Sequence, residues 1–188
     1  MALLNDYPKE NVHLESINDP TDLPVIPAVK GAFAPYANAT THEKLMLQHW
    51  GNKKVWDFFC ASADTESFDV IIRIRPDLWI HRFQKPRNLR VNECFCPWWG
   101  KFGGVNDRLA IMDKYAAEIY FSVLDVIPKL LDEGCPFHPE TLLAEVMQSQ
   151  STAIESTLMA EFSTERMDGT RRWAEIVMSD IAELIASR

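Results

Sequence analysis

Apolar positions along the chain fall into blocks separated by proline, glycine and polar residues, and the period within each block separates helix from strand. In "THEKLMLQHWGNKKVWDFFCAS" the residues Met46, Trp50, Val55, Trp56 and Phe59 make an apolar helical face, and Thr40 with Glu43 forms a capping box at its start. Gly51 and Asn52 offer a break in that helix. "VIIRI", residues 70 to 74, is instead a continuous β-branched run of strand length, which predicts a strand covered on both faces. "HRFQKPRNLRVNECFCPWWGKFGG" has no clear period and reads as an irregular excursion with one strand at "LRVNECF", leading to "VNDRLAI". "DKYAAEIYFSVLDVIPKLLDEG" carries Ala116, Ile119, Tyr120, Val123, Ile127 and Leu131 at helical spacing, with Asp113 as N-cap and Gly134 as stop signal. Pro139 opens a further helix, "MAEFSTERM" is a late strand, and "RRWAEIVMSDIAELIAS" a final helix. The first forty residues hold five prolines and read mostly as loop, with candidate strands at "NVHLESI" and "LPVIPA". The alternation of helices and strands points to an α/β layer structure, and 188 residues suit one domain spanning 1–188.

Composition narrows the function classes. Hydrophobic residues are 47% and charged residues 24% of the chain, as in an ordinary globular protein. The net charge of −8 argues against nucleic acid as a partner. No run is long and apolar enough for a transmembrane helix, and the beginning has neither a basic n-region nor a long h-region, so the expected location is cytoplasmic. Four cysteines, two of them spaced as Cys94-Phe-Cys96, fit reduced, partly buried thiols better than a disulfide framework or a zinc knuckle.

The unusual chemistry lies where the apolar run meets "RIRPD". In an extended strand Arg73, Arg75 and Asp77 alternate onto one side, and Pro76 ends the ladder beside them. Ligands of open α/β sheets bind beyond the carboxyl ends of strands, so Asp77 is placed to hold one corner of a hydrated Mn²⁺ or Mg²⁺ and the arginines to clamp a diphosphate. The competing interpretation is a self-satisfied ion-pair cluster. "GGVNDR" adds Gly103 and Gly104, which let a backbone approach closely, and Asn106, Asp107 and Arg108, with Asp107 a candidate general base. The same residues also suit a glycine turn with an Asx cap. "FHPETLL" adds His138 and Glu140 at a helix start, and "ERMDG" adds Glu165, Arg166 and Asp168.

"IIRIRPDLWI", "GGVNDRLAIMDKYAAEIYF", "HPETLL" and "ERMDG", in that order, resemble GT-A-type nucleotide-sugar glycosyltransferases of the kind that build polysaccharides or decorate glycoproteins in bacteria and large algal viruses. The likeness spans roughly residues 42 to 170, and the RxRPD and NDR pair is its most specific part. It implies a GT-A-like, Rossmann-like mixed sheet flanked by helices. Asp77 then stands for the metal-binding aspartate with Arg73 and Arg75 behind it; Asn106 and Asp107 face donor sugar or acceptor, and His138 and Glu140 line the same cleft. The pattern departs from the family in having Arg75-Pro76-Asp77 where Asp-x-Asp is usual, and in lacking an evident opening strand before residue 40, as in a relative shortened at the N-terminus.

The expected activity is transfer of a sugar from a nucleoside-diphosphate donor to a hydroxyl of a glycan or glycoprotein, with Mn²⁺ or Mg²⁺ as cofactor. The alternative is a non-catalytic carbohydrate-binding or assembly module, in which tryptophans among Trp50, Trp56, Trp79, Trp98 and Trp99 stack on sugar. A third, weaker expectation is a hydrolase using paired carboxylates such as Asp107 and Glu140.

Overall fold

The computed structural model describes residues 39–61, 67–83, 88–158, 160–165 and 171–173. Helix α1 (Ala39–Ala61) is followed by strands β1 (Ile71–Ile74), β2 (Leu78–Phe83), β3 (Glu93–Pro97) and β4 (Leu109–Met112). Helices α2 (Lys114–Phe121), α3 (Val123–Asp132) and α4 (Pro139–Ser149) come next, then β5 (Ala153–Leu158), β6 (Ala160–Glu165) and β7 (Arg171–Trp173). Four strands form a mixed sheet in the order β1-β4-β3-β5, antiparallel except where β3 runs parallel to β5. The other three form an antiparallel sheet in the order β2-β6-β7. The architecture is α/β with helices on a mixed sheet. No helix among the described residues is long and apolar enough to cross a membrane.

Side-chain alternation on the central strands explains their unbroken apolar pattern. Cys94, Cys96, Ala110 and Met112 point into a core shared with Ala116, Tyr120, Leu142 and other residues of the helices. Phe95, Leu109 and Ile111 point to the opposite face, where they pack with Ala160 and Phe162 of the second sheet. With both faces covered, every residue of β3 and β4 is buried and no polar face is needed.

The run that the sequence marked as doubly covered is β1, and here the expectation fails. β1 lies at the sheet edge, with Arg73 only 7% exposed while Ile72 and Ile74 are 50% and 48% exposed. Cross-strand register gives the reason: Arg73 pairs with Ala110 on the helix-covered face, whereas Ile72 and Ile74 pair with Ile111 and Leu109 on a face that the second sheet leaves uncovered at this edge. Immediately after β1 the chain turns, the Leu78 N–H donating to the Arg75 carbonyl at 3.0 Å, and enters the other sheet as β2. "RPD" therefore occupies the corner between two sheets, with Pro76 at the turn position its fixed φ favours. β5 and β6 make a second such crossing, separated by one residue.

Several further expectations meet the structure. α1 runs unbroken through Gly51 and Asn52. The single helix expected after Asp113 is two, because the Ser122 hydroxyl and amide both donate to the Ile119 carbonyl and turn the chain between α2 and α3. Strands β2, β4 and β5 are additions to the sequence expectation, β6 coincides with the late strand, and "RRW" is β7 rather than the start of a helix. "NVHLESI", "LPVIPA", the remainder of the final helix, Arg166 and Asp168 lie outside the described residues. All four cysteines are free thiols, Cys94 and Cys96 buried.

Asp113 caps α2 as expected and does more. One carboxylate oxygen accepts from Ala116 N–H at 3.0 Å and Glu93 N–H at 3.1 Å, and the other from Asn92 N–H at 3.0 Å. It thus ties the helix start to the start of the central strand. Asp113→Ala is expected to cost about 2 kcal/mol, the upper end for a lost cap, with Asp113→Asn falling between it and the wild type in a denaturant titration.

Candidate functional site

The "RPD" corner and the "GGVNDR" loop are held against each other by backbone, the Arg75 N–H donating to the Arg108 carbonyl at 2.9 Å. The loop is also seated on α4. Val105 N–H donates to the Glu140 carbonyl at 2.9 Å, and a Cβ on Gly104 would lie 1.9 Å from that same oxygen. The close approach that Gly104 permits is therefore to the first turn of α4. Gly103, at φ +86°, supplies the left-handed backbone that lets the loop reach it. Asn106, fully buried, donates from its amide to the Trp99 carbonyl at 2.7 Å and accepts from Arg108 N–H at 2.8 Å, fixing the segment that follows.

These restraints place Asp107 at the centre of a buried polar cluster. Its backbone carbonyl accepts from the Arg73 guanidinium and from the Tyr120 hydroxyl, the latter at 3.4 Å. One carboxylate oxygen accepts from Gln48 Nε2 at 2.7 Å, while Oδ1 is buried without a hydrogen-bond partner. His49 is buried in the same neighbourhood, with Nε2 also unpartnered; desolvation lowers its pKa to about 4 against the pull of Asp107, with Arg73 assisting, so it is neutral at pH 7. Desolvation likewise raises the Tyr120 hydroxyl. Buried polar atoms are nearly always hydrogen-bonded, so two orphans converging on one cluster call for a ligand or a water.

His138 and Glu140 join from the start of α4. The His138 Nδ1 atom lies 3.3 Å from Glu140 Oε2, without the alignment of a hydrogen bond. Burial, reinforced by the Asp107 charge, raises Glu140 to about 8, and burial lowers His138, so the pair is neutral at pH 7. Among the described residues, Arg75 holds Asp77 and feels the Asp107 charge, and Arg75 and Arg108 both act on Glu140.

The Glu140 shift fixes a pH dependence. Because the folded state keeps a proton that the unfolded chain releases near pH 4.5, this group's contribution to stability is full below 4.5 and is lost as pH rises through about 8. Glu140→Gln has no such loss, so it should be more stable than the wild type at pH 9 and lose that advantage by pH 4.5. Denaturant titrations at the two pH values measure the difference.

Asp77 is bound by Arg75 through two hydrogen bonds of 2.5 and 2.8 Å. Both carboxylate oxygens are thereby used, and no cluster of three or more histidine, cysteine, aspartate or glutamate side chains suited to a metal forms among the described residues. Trp79 lies on β2 in the second sheet, 40% exposed and outside the shell that bonds Asp107. Gln48, His49 and Tyr120 were not picked out as site residues. His49 could have been, since it lies four residues from Leu45 and three from Met46 on the buried side of α1, where a histidine needs a partner; Tyr120 was absorbed into an apolar helical face.

No protein-family model, curated protein or solved structure matches this chain.

Proposed function

We propose that the chain is a glycosyltransferase of GT-A-like type, moving a sugar from a nucleoside-diphosphate sugar to a hydroxyl of a glycan or glycoprotein. The observation that carries the proposal is Asp107, held through its backbone by Arg73 and Tyr120 and through one carboxylate oxygen by Gln48, with the other oxygen buried and unpartnered. As the acceptor oxygen attacks the anomeric carbon, Asp107 takes the hydroxyl proton; the bond from that carbon to the donor diphosphate breaks, and the diphosphate leaves with the electron pair. Arg75 and Arg108 oppose the charge that develops on it. Arg108 borders the sugar, Asn106 fixes the segment beneath it, and the Gly103-Gly104 turn sets the loop that carries them. A divalent cation enters the proposal as a companion of the donor diphosphate, and no step is routed through it.

The second reading, a non-catalytic glycan-binding module, is favoured by one observation: Arg75 and Asp77 satisfy each other, which occupies the groups a diphosphate would use. Calorimetric titration with UDP-sugars and GDP-sugars, each with and without Mn²⁺, separates the two. Heat with one nucleotide class supports transfer. Heat with free glycans alone supports the binding module and removes the transferase.

A further inference from the structure

A groove of about 570 Å³ runs between α1 and the free edge of β1, within the size range of small-molecule sites. Its two ends differ in chemistry. At one end Trp56 and Phe59 of α1 stack on each other, and Phe59 meets Phe68, which precedes β1, with ring centres 5.8 Å apart. At the other, Gln48, Asn52, Arg73 and Arg75 supply two amides and two guanidiniums, and no carboxylate among the described residues lines the groove. Phe59 meets Phe68 ahead of β1 while Gln48 and Arg73 both hold Asp107, so the aromatic end of α1 lies beside the beginning of β1 and Gln48 near its end. Between the ends Val55 is 64% exposed and lines the groove with Trp56, Phe59 and Phe68, an apolar surface of a kind that soluble proteins keep for partners.

We propose that this groove binds a single-chain lipid phosphate, with the chain along Val55, Trp56, Phe59 and Phe68 and the phosphate at Gln48, Arg73 and Arg75. A compact apolar tail and an anionic head match the two ends in order, and the Arg75 fork exchanges the Asp77 carboxylate for two phosphate oxygens. The groove requires one chain only, which distinguishes the ligand from a patch of membrane. Gln48 and Arg73 also hold Asp107, so the phosphate sits one side chain from the candidate base. The binding proposal does not depend on the transfer reaction.

The test is calorimetry with octyl phosphate below its aggregation concentration, compared with inorganic phosphate and octyl glucoside. Each buried methylene tightens binding about fourfold, so octyl phosphate is expected to bind at least about tenfold more tightly than inorganic phosphate, and more tightly than octyl glucoside. Val55→Asp, at a largely exposed position where folding should survive, is expected to weaken octyl phosphate at least about tenfold. Equal binding of inorganic phosphate would reduce the site to an anion pocket, and equal binding of octyl glucoside would remove the role of the arginines. Either result overturns the proposal, as does Val55→Asp binding like the wild type. A wild-type dimer that Val55→Asp converts to monomers would also overturn it, by giving the groove to a second copy of the chain.

Discussion

Asp107→Asn is expected to lower sugar transfer about a thousandfold, the scale of losing a positioned general base. The substitution keeps shape and size, and its amide oxygen can still accept from Gln48. Arg73 and Tyr120 bond the backbone carbonyl of residue 107, so neither loses its partner when the side chain changes. The fold should therefore melt within a few degrees of the wild type while turnover collapses. Parallel loss of melting temperature and turnover would instead mark Asp107 as a structural strut. Full turnover in the variant would remove it from the chemistry altogether.

Gly104→Ala is expected to have the largest effect on stability. The added Cβ would meet the Glu140 carbonyl oxygen at 1.9 Å, its carbon at 2.2 Å and Thr141 N at 2.7 Å, all backbone atoms of α4's first turn that cannot swing away. Overpacking of this kind costs about 3 kcal/mol, equivalent to roughly 10 °C of melting temperature for a chain of this size. Val105 N–H would also lose its bond to the same carbonyl, so the loop that carries Asp107 would lift. Gly103→Ala is a useful partner, because its Cβ would meet nothing within 4 Å and the penalty is only that of a left-handed backbone, about 1 kcal/mol. Equal melting of the two variants would contradict the seating of this loop on α4.

How far the site could be read in advance differs by residue. Arg73, Arg75 and Asp77 were legible as chemistry because charge ending an apolar strand is costly and needs a reason, and Asp107 was legible because asparagine, aspartate and arginine followed a glycine pair. Their convergence was not, since the bond joining Arg75 to Arg108 spans thirty-three positions and leaves no local trace. Periodicity gave α2 correctly, and β4 went unassigned after an excursion without a period. It misjudged β1, because a continuous apolar run reports hydrophobicity and not coverage: the edge position of β1 follows from β4 pairing with both it and β3, a long-range fact. It joined α2 to α3 because Ser122 breaks the helix through hydrogen bonds to Ile119, which leave the apolar period intact. β2 was hidden by the arginines and histidine that follow "DLWI", and β5 by the alternating acids and hydroxyls of "AIEST", although β5 supplies the parallel pairing that makes the first sheet mixed.

The ion pair between Arg75 and Asp77 is the feature that most directly opposes the proposed transfer, since a diphosphate must draw Arg75 from a bidentate partner. Release of nucleoside diphosphate from a panel of UDP-sugars and GDP-sugars, followed for the folded wild type and for Asp107→Asn with and without Mn²⁺, tests the claim most directly. The account predicts that one donor class is consumed by the wild type and that the variant is nearly silent. Consumption of no donor by a folded wild type, with or without the metal, would contradict it.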